Sequence, residues 1–473
     1  MRSPKNNWAV TLPLPRARDR IRGGPAPAPA ILELDPKVCY TGWRSKPMAG
    51  KIVFITSHNW DTRRQGGFHK LAEAACRAGL ETVFFSFPRP YYGLLLKREQ
   101  LNAEVIRKLS AGARYELEEG KEILNVTFPT FRIPDACGKI VPACVMNFLL
   151  RHSLGTFRGF ARKFLEGTGC FVFESCEGIA FVDKIRRRFP KARIIYRPSD
   201  PLVYASVPER TRELEKNMLL KADRTLLVNN EGLEAYRKVI PEFDRKVSYT
   251  ILPNGVDLAP YMRRYPEPEA IKGRKSVVYV GAWGVEWPLL YKAAEALPKL
   301  HFFVVCPNYP DKSVLGKVEK IPNLTYVPGI KSAEVPAWIT NCTAVMVPYV
   351  TDFYKDRPLG ITAKYYQAMA AHKPVVAYSD TEKLAGVGVT VTYTYEDFIA
   401  EVGKAAAEKY RSYDFDLTGR DWEVIGKKFL AEVGDIGTDD AADGQGGPGP
   451  EARAAPDDGA VGMTGTSGAE VSE

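Results

Sequence analysis

Two acidic residues directly follow predicted strands, where they could exchange a proton with a bound molecule. Asp200 ends the run RIIYRPSD, and Pro201 prevents that strand from simply continuing. Glu231 follows the run RTLLVNN. Ligands of open α/β sheets bind at the carboxyl ends of strands, so both carboxylates are candidates for acid–base chemistry. Two alternatives stay open, since an aspartate also caps turns and a glutamate also suits the first turn of a helix.

A second set of candidate residues lies in and near a strand, charged loop, helix and strand that span residues 344–380. Lys364 and Gln367 lie one turn apart on the predicted helix, where a lysine near the helix N-terminus suits a diphosphate and a glutamine can bond ribose or phosphate. Tyr349 could stack on a planar base such as uracil, and Trp283, in the loop Gly281-Ala282-Trp283-Gly284, offers a second aromatic wall. The alternatives are a solvated lysine and a core tryptophan.

The elements that must position these residues alternate between strands and helices. Such alternation predicts an α/β fold with two Rossmann-like domains, whose parallel sheets face a cleft. The predicted segments are a disordered basic tail (1–48), an N-terminal Rossmann-like domain (49–257), a linker (258–275), a C-terminal Rossmann-like domain (276–410), a crossing helix (411–433) and a disordered acidic tail (434–473).

The charge of the chain is unevenly distributed. The 473 residues carry a net charge of +10, of which residues 1–48 contribute +6 and residues 434–473 contribute −8. The remaining body therefore carries +12. This surplus suits phosphate groups or anionic lipid. It would also suit nucleic acid, but no recognition motif for nucleic acid is present, so we predict none as a partner.

Cysteine usage and hydropathy predict a cytoplasmic protein. The eight cysteines include no C-x-x-C pair and several lie in apolar runs, which favours buried reduced thiols. No stretch of the sequence reaches the roughly 20 apolar residues that a membrane-spanning helix needs. The basic segment 1–48 lacks the apolar core of a signal peptide. Asp414 and Asp416 lie in the loop before the last predicted helix and not next to a strand that ends at the predicted binding site. We therefore predict solvated acids and no metal site.

A basic amphipathic segment spans residues 145–165. Its apolar residues recur on one helical face and its arginines lie on the flanks, which is typical of a helix in a membrane interface. A core-facing helix with a solvated basic side fits the same pattern, because an apolar face suits a protein core as well as a lipid surface.

The order of these motifs resembles the nucleotide-sugar glycosyltransferases of the GT-B superfamily over about residues 50–433. A sharper resemblance is to the family-70 glucuronosyltransferases, which are membrane-associated inverting enzymes. Five features carry that resemblance: SHNWDTRRQGGFHKLAEA (57–74), Arg197 to Asp200, Asn230 with Glu231, Tyr349, and Ala363-Lys364-x-x-Gln367. The retaining members of the superfamily carry a glutamate where this chain has Gln367.

The resemblance implies transfer of glucuronate or a related sugar from a UDP-sugar to a polyprenyl-diphosphate-linked oligosaccharide, without metal or cofactor, at the inner face of the cell membrane. It implies that the first domain binds the acceptor and the second the UDP-sugar. It implies Asp200 as the base, and Glu231 could orient the acceptor or assist Asp200. Independently of the resemblance, His58 and His69 in the first loop are alternative acid–base groups. The resemblance also supports Tyr349, Lys364 and Gln367 as donor-binding residues, and Trp283 is a fourth candidate because of the loop in which it lies. Two other functions stay open: a retaining glycosyltransferase of the same fold, and a catalytically inactive binding protein.

Overall fold

Two parallel β-sheets, one after the other in the chain, form the framework of the protein. The computed structural model describes residues 49–434, apart from residues 63, 64, 119, 205, 283, 309, 351–359 and 409. The two predicted tails therefore lie outside the described residues, apart from Gly434. Most strands of both sheets are buried along nearly their whole length, as expected for sheets that are covered on both faces.

Within the described residues, the first sheet has eight strands in the order β12-β11-β10-β9-β1-β2-β7-β6, and only its edge strand β6 runs antiparallel to its neighbour. The strands of this half are β1 (Lys51–Thr56), β2 (Glu81–Ser86), β3 (Arg89–Pro90), β4 (Lys97–Arg98), β5 (Leu101–Asn102), β6 (Ala113–Glu118), β7 (Lys121–Val126), β8 (Pro129–Thr130), β9 (Thr168–Phe173), β10 (Arg193–Tyr196), β11 (Arg224–Leu227) and β12 (Tyr249–Ile251). Its helices are α1 (Gly67–Arg77), α2 (Ala103–Ala111), α3 (Ala143–Arg151), α4 (Phe157–Phe164), α5 (Val182–Arg188), α6 (Glu209–Lys221), α7 (Asn230–Val239) and α8 (Phe243–Lys246).

The second sheet has six parallel strands in the order β15-β14-β13-β16-β17-β18. Its strands are β13 (Ser276–Val280), β14 (His301–Cys306), β15 (Leu324–Pro328), β16 (Ala344–Pro348), β17 (Val375–Tyr378) and β18 (Thr390–Thr392). The helices of this half are α9 (Trp287–Ala296), α10 (Lys312–Val318), α11 (Val335–Asn341), α12 (Ala363–Ala370) and α13 (Tyr395–Ala407), followed by α14 (Trp422–Val433). The α/β fold with parallel sheets that the alternation predicts is confirmed.

The last helix, α14, returns to the N-terminal domain. Ile425, Phe429 and Val433 are buried in the same apolar cluster as β1 and α1, with 5.9 Å between the ring centres of Phe429 and Phe54. The segment 258–275, in contrast, packs on the C-terminal domain, because Ile271 is fully buried in the core of that domain. It is therefore an ordered connection and not a loose linker.

The segment 145–165 forms two helices, α3 and α4, and not one. The chain leaves helical geometry at His152, and the Thr156 side chain caps the start of α4. Met146, Leu150 and the other predicted apolar residues mostly face the protein core. Most of the apolar face of residues 145–165 therefore packs against the core, as in the second of the two alternatives.

Candidate functional site

A cleft of ≈ 2830 Å³ lies beside the carboxyl ends of the strands, and residues of both domains line it. Asp200 and Glu231 line it from the N-terminal domain, and Gln367 lines it from α12. The structure thus brings together three of the predicted site residues, as expected for groups at strand ends and helix starts.

Asp200 lies in an exposed turn that begins where β10 ends. The Ser175 hydroxyl accepts hydrogen bonds from the backbone amides of Ser199 and Asp200, at 3.1 and 3.2 Å. The Ser199 hydroxyl in turn donates to Oε1 of Glu174, a buried carboxylate at the end of β9, at 2.8 Å. The turn is therefore held by the neighbouring strand end, while the Asp200 carboxylate faces the cleft.

Arg197 lies beneath this turn as a fully buried cation. Its Nη2 donates to Asn254 Oδ1 at 2.7 Å, whereas Nε and Nη1 have no hydrogen-bond partner among the described residues. Burial lowers the pKa of Arg197 to about 10, and the nearby Glu174 and Asp200 oppose that shift. The guanidinium remains protonated at neutral pH and offsets the charge of these two carboxylates.

Glu231 lies in the first turn of α7, whose start is capped by Asn229 through a 2.8 Å bond to the amide of Gly232. Its side chain is 14% exposed and pairs with Lys383 of the C-terminal domain, with 3.0 Å between Oε1 and Nζ. Gly360 approaches the same helix start, since a Cβ at Gly360 would lie 3.0 Å from Asn229 Nδ2. The two domains therefore touch at the start of α7.

Lys364 and Tyr349 lie together below the wall of the cleft. Tyr349 is 1% exposed, so its ring packs in the core and is not open to a base, in contrast to the predicted stacking on uracil. The Lys364 ammonium donates to the Tyr349 hydroxyl and lies 4.5 and 5.6 Å from the ring centres of Tyr349 and Tyr279. Burial lowers the pKa of Lys364 to about 8, and Asp380 opposes the shift.

The start of α12 opens into the cleft directly above Lys364. Thr362, Ala363 and Gln367 line the cleft there, and the buried Thr362 hydroxyl has no hydrogen-bond partner among the described residues. Unpaired amides at a helix N-terminus attract anions. This end of the cleft thus offers amides, one hydroxyl and a nearby cation to a negatively charged group.

The two histidines differ from the predicted acid–base role. His69 is fully buried; it accepts a hydrogen bond from the Gly66 amide at Nδ1 and bonds the Asn59 carbonyl through Nε2, at 3.3 and 3.0 Å. Burial lowers the pKa of His69 to about 4, so the ring is neutral and holds the start of α1. His58 is exposed but does not line the cleft. Trp283 lies outside the described residues.

Several residues of the site were not predicted from the sequence. Lys383 and Asn229 bring the domains together, and Glu174 and Ser175 hold the turn of Asp200. Asn229 could have been predicted as the cap of α7, because asparagine is favoured at a helix start, where its side chain accepts a bond from the amide three residues later, here that of Gly232. Glu174 and Ser175 follow a strand, as Asp200 does, and the rule that strand ends hold ligands applies to them equally.

Two further features concern ions and membranes. Among the described residues, no group of three or more histidine, cysteine, aspartate or glutamate side chains is arranged to hold a metal ion. Within the same part of the chain, every helix is too short or too polar to span a bilayer.

Comparison with known proteins finds a family match within the N-terminal domain. Residues 54–228 match the family described as "Glucuronosyltransferase GumK, N-terminal domain". No protein with a curated description matches the chain.

Solved structures share the fold at low identity. An alpha,alpha-trehalose-phosphate synthase (UDP-forming) from Burkholderia xenovorans, in complex with glucose-6-phosphate, is 14% identical with a TM-score of 0.54, over 81% of this chain and 100% of that one. The trehalose-6-phosphate enzyme of E. coli bound with UDP-2-fluoro glucose is 12% identical with a TM-score of 0.52, over 81% and 98%. Anabaena Alr3699/HepE, in complex with UDP and glucose, is 12% identical with a TM-score of 0.50, over 81% and 99%.

Proposed function

Since this chain is a glycosyltransferase of the GT-B fold with a GumK-type N-terminal domain, we propose that it transfers glucuronate or a related sugar from a UDP-sugar. The acceptor is a polyprenyl-diphosphate-linked oligosaccharide of exopolysaccharide synthesis, and the transfer inverts the anomeric carbon. The observation that carries this proposal is the match of residues 54–228 to a glucuronosyltransferase domain, whose strand-end Asp200 faces α12 across one cleft.

The chemistry assigns one role to each side of the cleft. Asp200 takes the proton of the acceptor hydroxyl while that oxygen forms its bond to the anomeric carbon. The bond from that carbon to the diphosphate breaks, and its electron pair leaves with UDP. Lys364 and the start of α12 stabilise the charge that builds on the diphosphate. Glu231 orients the acceptor or assists Asp200.

Charge stabilisation by Lys364 and α12 supports a transfer without metal. A cation and helix-start amides supply the attraction that a metal ion supplies in other sites. Transfer that persists in a chelator such as EDTA would support this part of the proposal. Transfer that vanishes in EDTA and returns with a divalent metal would contradict it.

An exposed apolar surface supports binding to an anionic membrane. Leu95, Ile140, Phe148 and Leu154, which we call the apolar patch, are 86, 89, 58 and 80% exposed. Contacts of Tyr91 join the segments of Leu95 and Leu154, since Tyr91 packs against Phe131 and bonds Ser153 and the Leu154 amide. The exposed basic residues Lys97, Arg98, Lys139 and Arg158 are close in sequence to the patch. Apolar side chains with basic neighbours are typical of surfaces that enter the headgroup region.

A donor screen tests the proposed reaction. Release of UDP would be measured for UDP-glucuronate, UDP-glucose, UDP-galactose and UDP-N-acetylglucosamine with a polyprenyl-diphosphate-linked oligosaccharide, and the anomeric configuration of the product would be determined. We expect turnover with UDP-glucuronate and an inverted product. A retained product would favour the retaining alternative, and no turnover with any donor would favour the inactive binding protein.

A further inference from the structure

Glu215, another carboxylate of the N-terminal domain, is fully buried and does not line the cleft. It lies in α6 and accepts three hydrogen bonds. The hydroxyls of Tyr196 and Tyr236 both donate to Oε1, and the backbone amide of Leu202 donates to Oε2, at 2.5, 2.7 and 2.7 Å.

These three donors belong to the elements that carry the proposed acidic residues of the site. Tyr196 ends β10, just before the turn of Asp200, and Leu202 lies two residues after Asp200. Tyr236 belongs to α7, the helix that begins with the turn of Glu231. One carboxylate therefore bonds both ends of the Asp200 turn and also the Glu231 helix.

Packing between the turn and the helix adds to this connection. A Cβ at Gly232 would lie 3.5 Å from Cγ of Pro201, so the turn rests on the first turn of α7. A movement of Leu202 would therefore change the position of Asp200 relative to Glu231.

We propose that Glu215 is a positioning residue whose ionised carboxylate holds the turn 197–202 and α7 in the arrangement that transfer requires. The kinetic part of this inference rests on the proposed function, whereas the structural part does not. Glu215 touches no substrate and acts through Asp200 and Glu231.

The protonation state of Glu215 decides whether all three bonds can exist. An ionised carboxylate only accepts hydrogen bonds, which matches two hydroxyls and one amide. Among the described residues, these groups from β10, α7 and the turn are the ones that face it. A proton on Oε2 would point at the Leu202 amide, which also donates, and that bond would be lost. A proton on Oε1 would instead reverse the bond to one tyrosine hydroxyl, and the neutral carboxyl would accept the remaining bonds more weakly.

Burial brings this titration close to neutral pH. It raises the pKa of Glu215 to about 7, against the lowering effect of the bonds from Tyr196, Tyr236 and Leu202. Since the ionised form holds the turn, the turn loosens as the pH falls through about 7. The free energy of unfolding changes in the opposite direction: a raised carboxyl pKa makes the folded state bind more protons than the unfolded state, so stability falls as the pH rises from about 4.5 to about 7.

Hydrogen exchange tests the structural part without any substrate. Exchange of the amides in residues 198–204 would be followed by mass spectrometry from pH 6 to pH 8.5, corrected for the intrinsic rates. In the unchanged protein we expect protection of the Leu202 amide to increase with pH, with a midpoint near 7. In Glu215→Gln we expect at least tenfold faster exchange at pH 8 and no midpoint, whereas the control Glu213→Gln, at an exposed residue of the same helix, should match the unchanged protein.

A second variant keeps the test decisive if Glu215→Gln does not fold. Tyr236→Phe removes one hydroxyl that bonds Glu215, which should raise the pKa of Glu215 and shift the exchange midpoint to higher pH. An unchanged midpoint, or full protection of Leu202 in Glu215→Gln, would overturn the inference.

Kinetics separate this inference from the proposed function. Glu215→Gln should lower kcat at least tenfold, leave the KM for the UDP-sugar unchanged and abolish the decline of kcat below pH 7. Unchanged kcat and an unchanged pH profile in that variant would overturn the inference. Altered exchange without turnover of any UDP-sugar by the unchanged protein would contradict the proposed function alone.

Discussion

Glu231 of the N-terminal domain and Lys383 of the C-terminal domain form an ion pair across the cleft, with 3.0 Å between Oε1 and Nζ. The glutamate is mostly buried, and the lysine side chain is 60% exposed. The contact joins the domains beside the start of α7, where Gly360 also approaches Asn229. Glu231, for which we propose a role on the acceptor, is thus held by the C-terminal domain, for which we propose donor binding.

The two members of this pair should differ in their effect on activity. Lys383→Ala removes an exposed cation, and such pairs contribute about 0.2–1 kcal/mol, so kcat/KM should fall no more than about fivefold. Glu231→Gln should lower kcat at least tenfold, since it removes a carboxylate from the cleft. Steady-state kinetics would measure both, with Lys404→Ala, at an exposed pair in α13, as the control. Equal effects of the two variants would mean that Glu231 serves only to join the domains.

Asp200→Asn should abolish transfer but leave donor binding intact. The amide keeps the shape of the side chain but cannot take the proton of the acceptor, so kcat should fall by about 10²–10⁴-fold. Calorimetric titration with UDP should give an unchanged Kd, since the diphosphate lies on the α12 side. Glu382→Gln, at another residue of the cleft wall, is the matched control. Turnover of Asp200→Asn at the unchanged rate would end this assignment.

Lys364 should make donor binding depend on pH. Its pKa is lowered to about 8 by burial, so the ammonium loses its charge as the pH rises through 8 and the Kd for UDP should increase. The free energy of unfolding should also rise from about pH 8 to 10.5, because the folded state there binds fewer protons than the unfolded state.

A substitution of Lys364 should separate stability from binding. Lys364→Met should raise the free energy of unfolding at pH 7 by up to about 3 kcal/mol, since the buried charge is removed, and should weaken UDP binding at least tenfold. Thermal unfolding and calorimetric titration would measure the two effects, with Lys404→Met as the control. Unchanged UDP affinity would exclude Lys364 from the donor site.

Two adjacent glycines should respond differently to alanine. A Cβ at Gly67 would lie 2.5 Å from Asn254 Oδ1 and 2.9 Å from the Trp422 ring, whereas a Cβ at Gly66 would meet nothing within 4 Å. Gly67→Ala should therefore lower the free energy of unfolding by about 1–3 kcal/mol, and Gly66→Ala by no more than about 1 kcal/mol. Denaturant titration would measure both. Equal losses would contradict the close approach at Gly67.

The apolar patch should determine binding to vesicles. The double variant Ile140→Ser/Leu154→Ser removes two exposed apolar side chains, so cosedimentation with vesicles of anionic phosphatidylglycerol should weaken at least about tenfold. Leu220→Ser/Met262→Ser, at exposed apolar residues of other surfaces, is the control. Equal vesicle binding by the control and the patch variant, or none by the unchanged protein, would contradict the membrane proposal.

Residues at strand ends could be predicted from the sequence because the signal for them is local. The apolar run before Arg197 identified β10, and a strand of a parallel sheet must deliver its next residues to the ligand edge, so Asp200 reached the cleft. Gln367 was predicted from its spacing on a helix, one turn after Lys364, and it lines the cleft. The antiparallel β6 and the helix α2 were missed, since residues 88–168 show less regular alternation.

Contacts between distant segments could not be predicted in this way. Tyr349 was expected to face a base, but it is buried below the cleft and its hydroxyl accepts a bond from Lys364. The ion pair of Glu231 with Lys383 depends on how two domains meet, and no periodicity encodes that. The segment 145–165 had the right pattern for a membrane helix, yet burying the same face against the first sheet satisfies the pattern equally.

The return of α14 to the first domain has a consequence for protein synthesis. Ile425, Phe429 and Val433 complete the apolar cluster that begins with β1. The N-terminal domain is synthesised first, but its core is complete only after α14 has been synthesised as well. Until then the apolar side of α1 that receives α14 is exposed to chaperones and to other nascent chains. The N-terminal domain is therefore the first to be translated and the last to be finished.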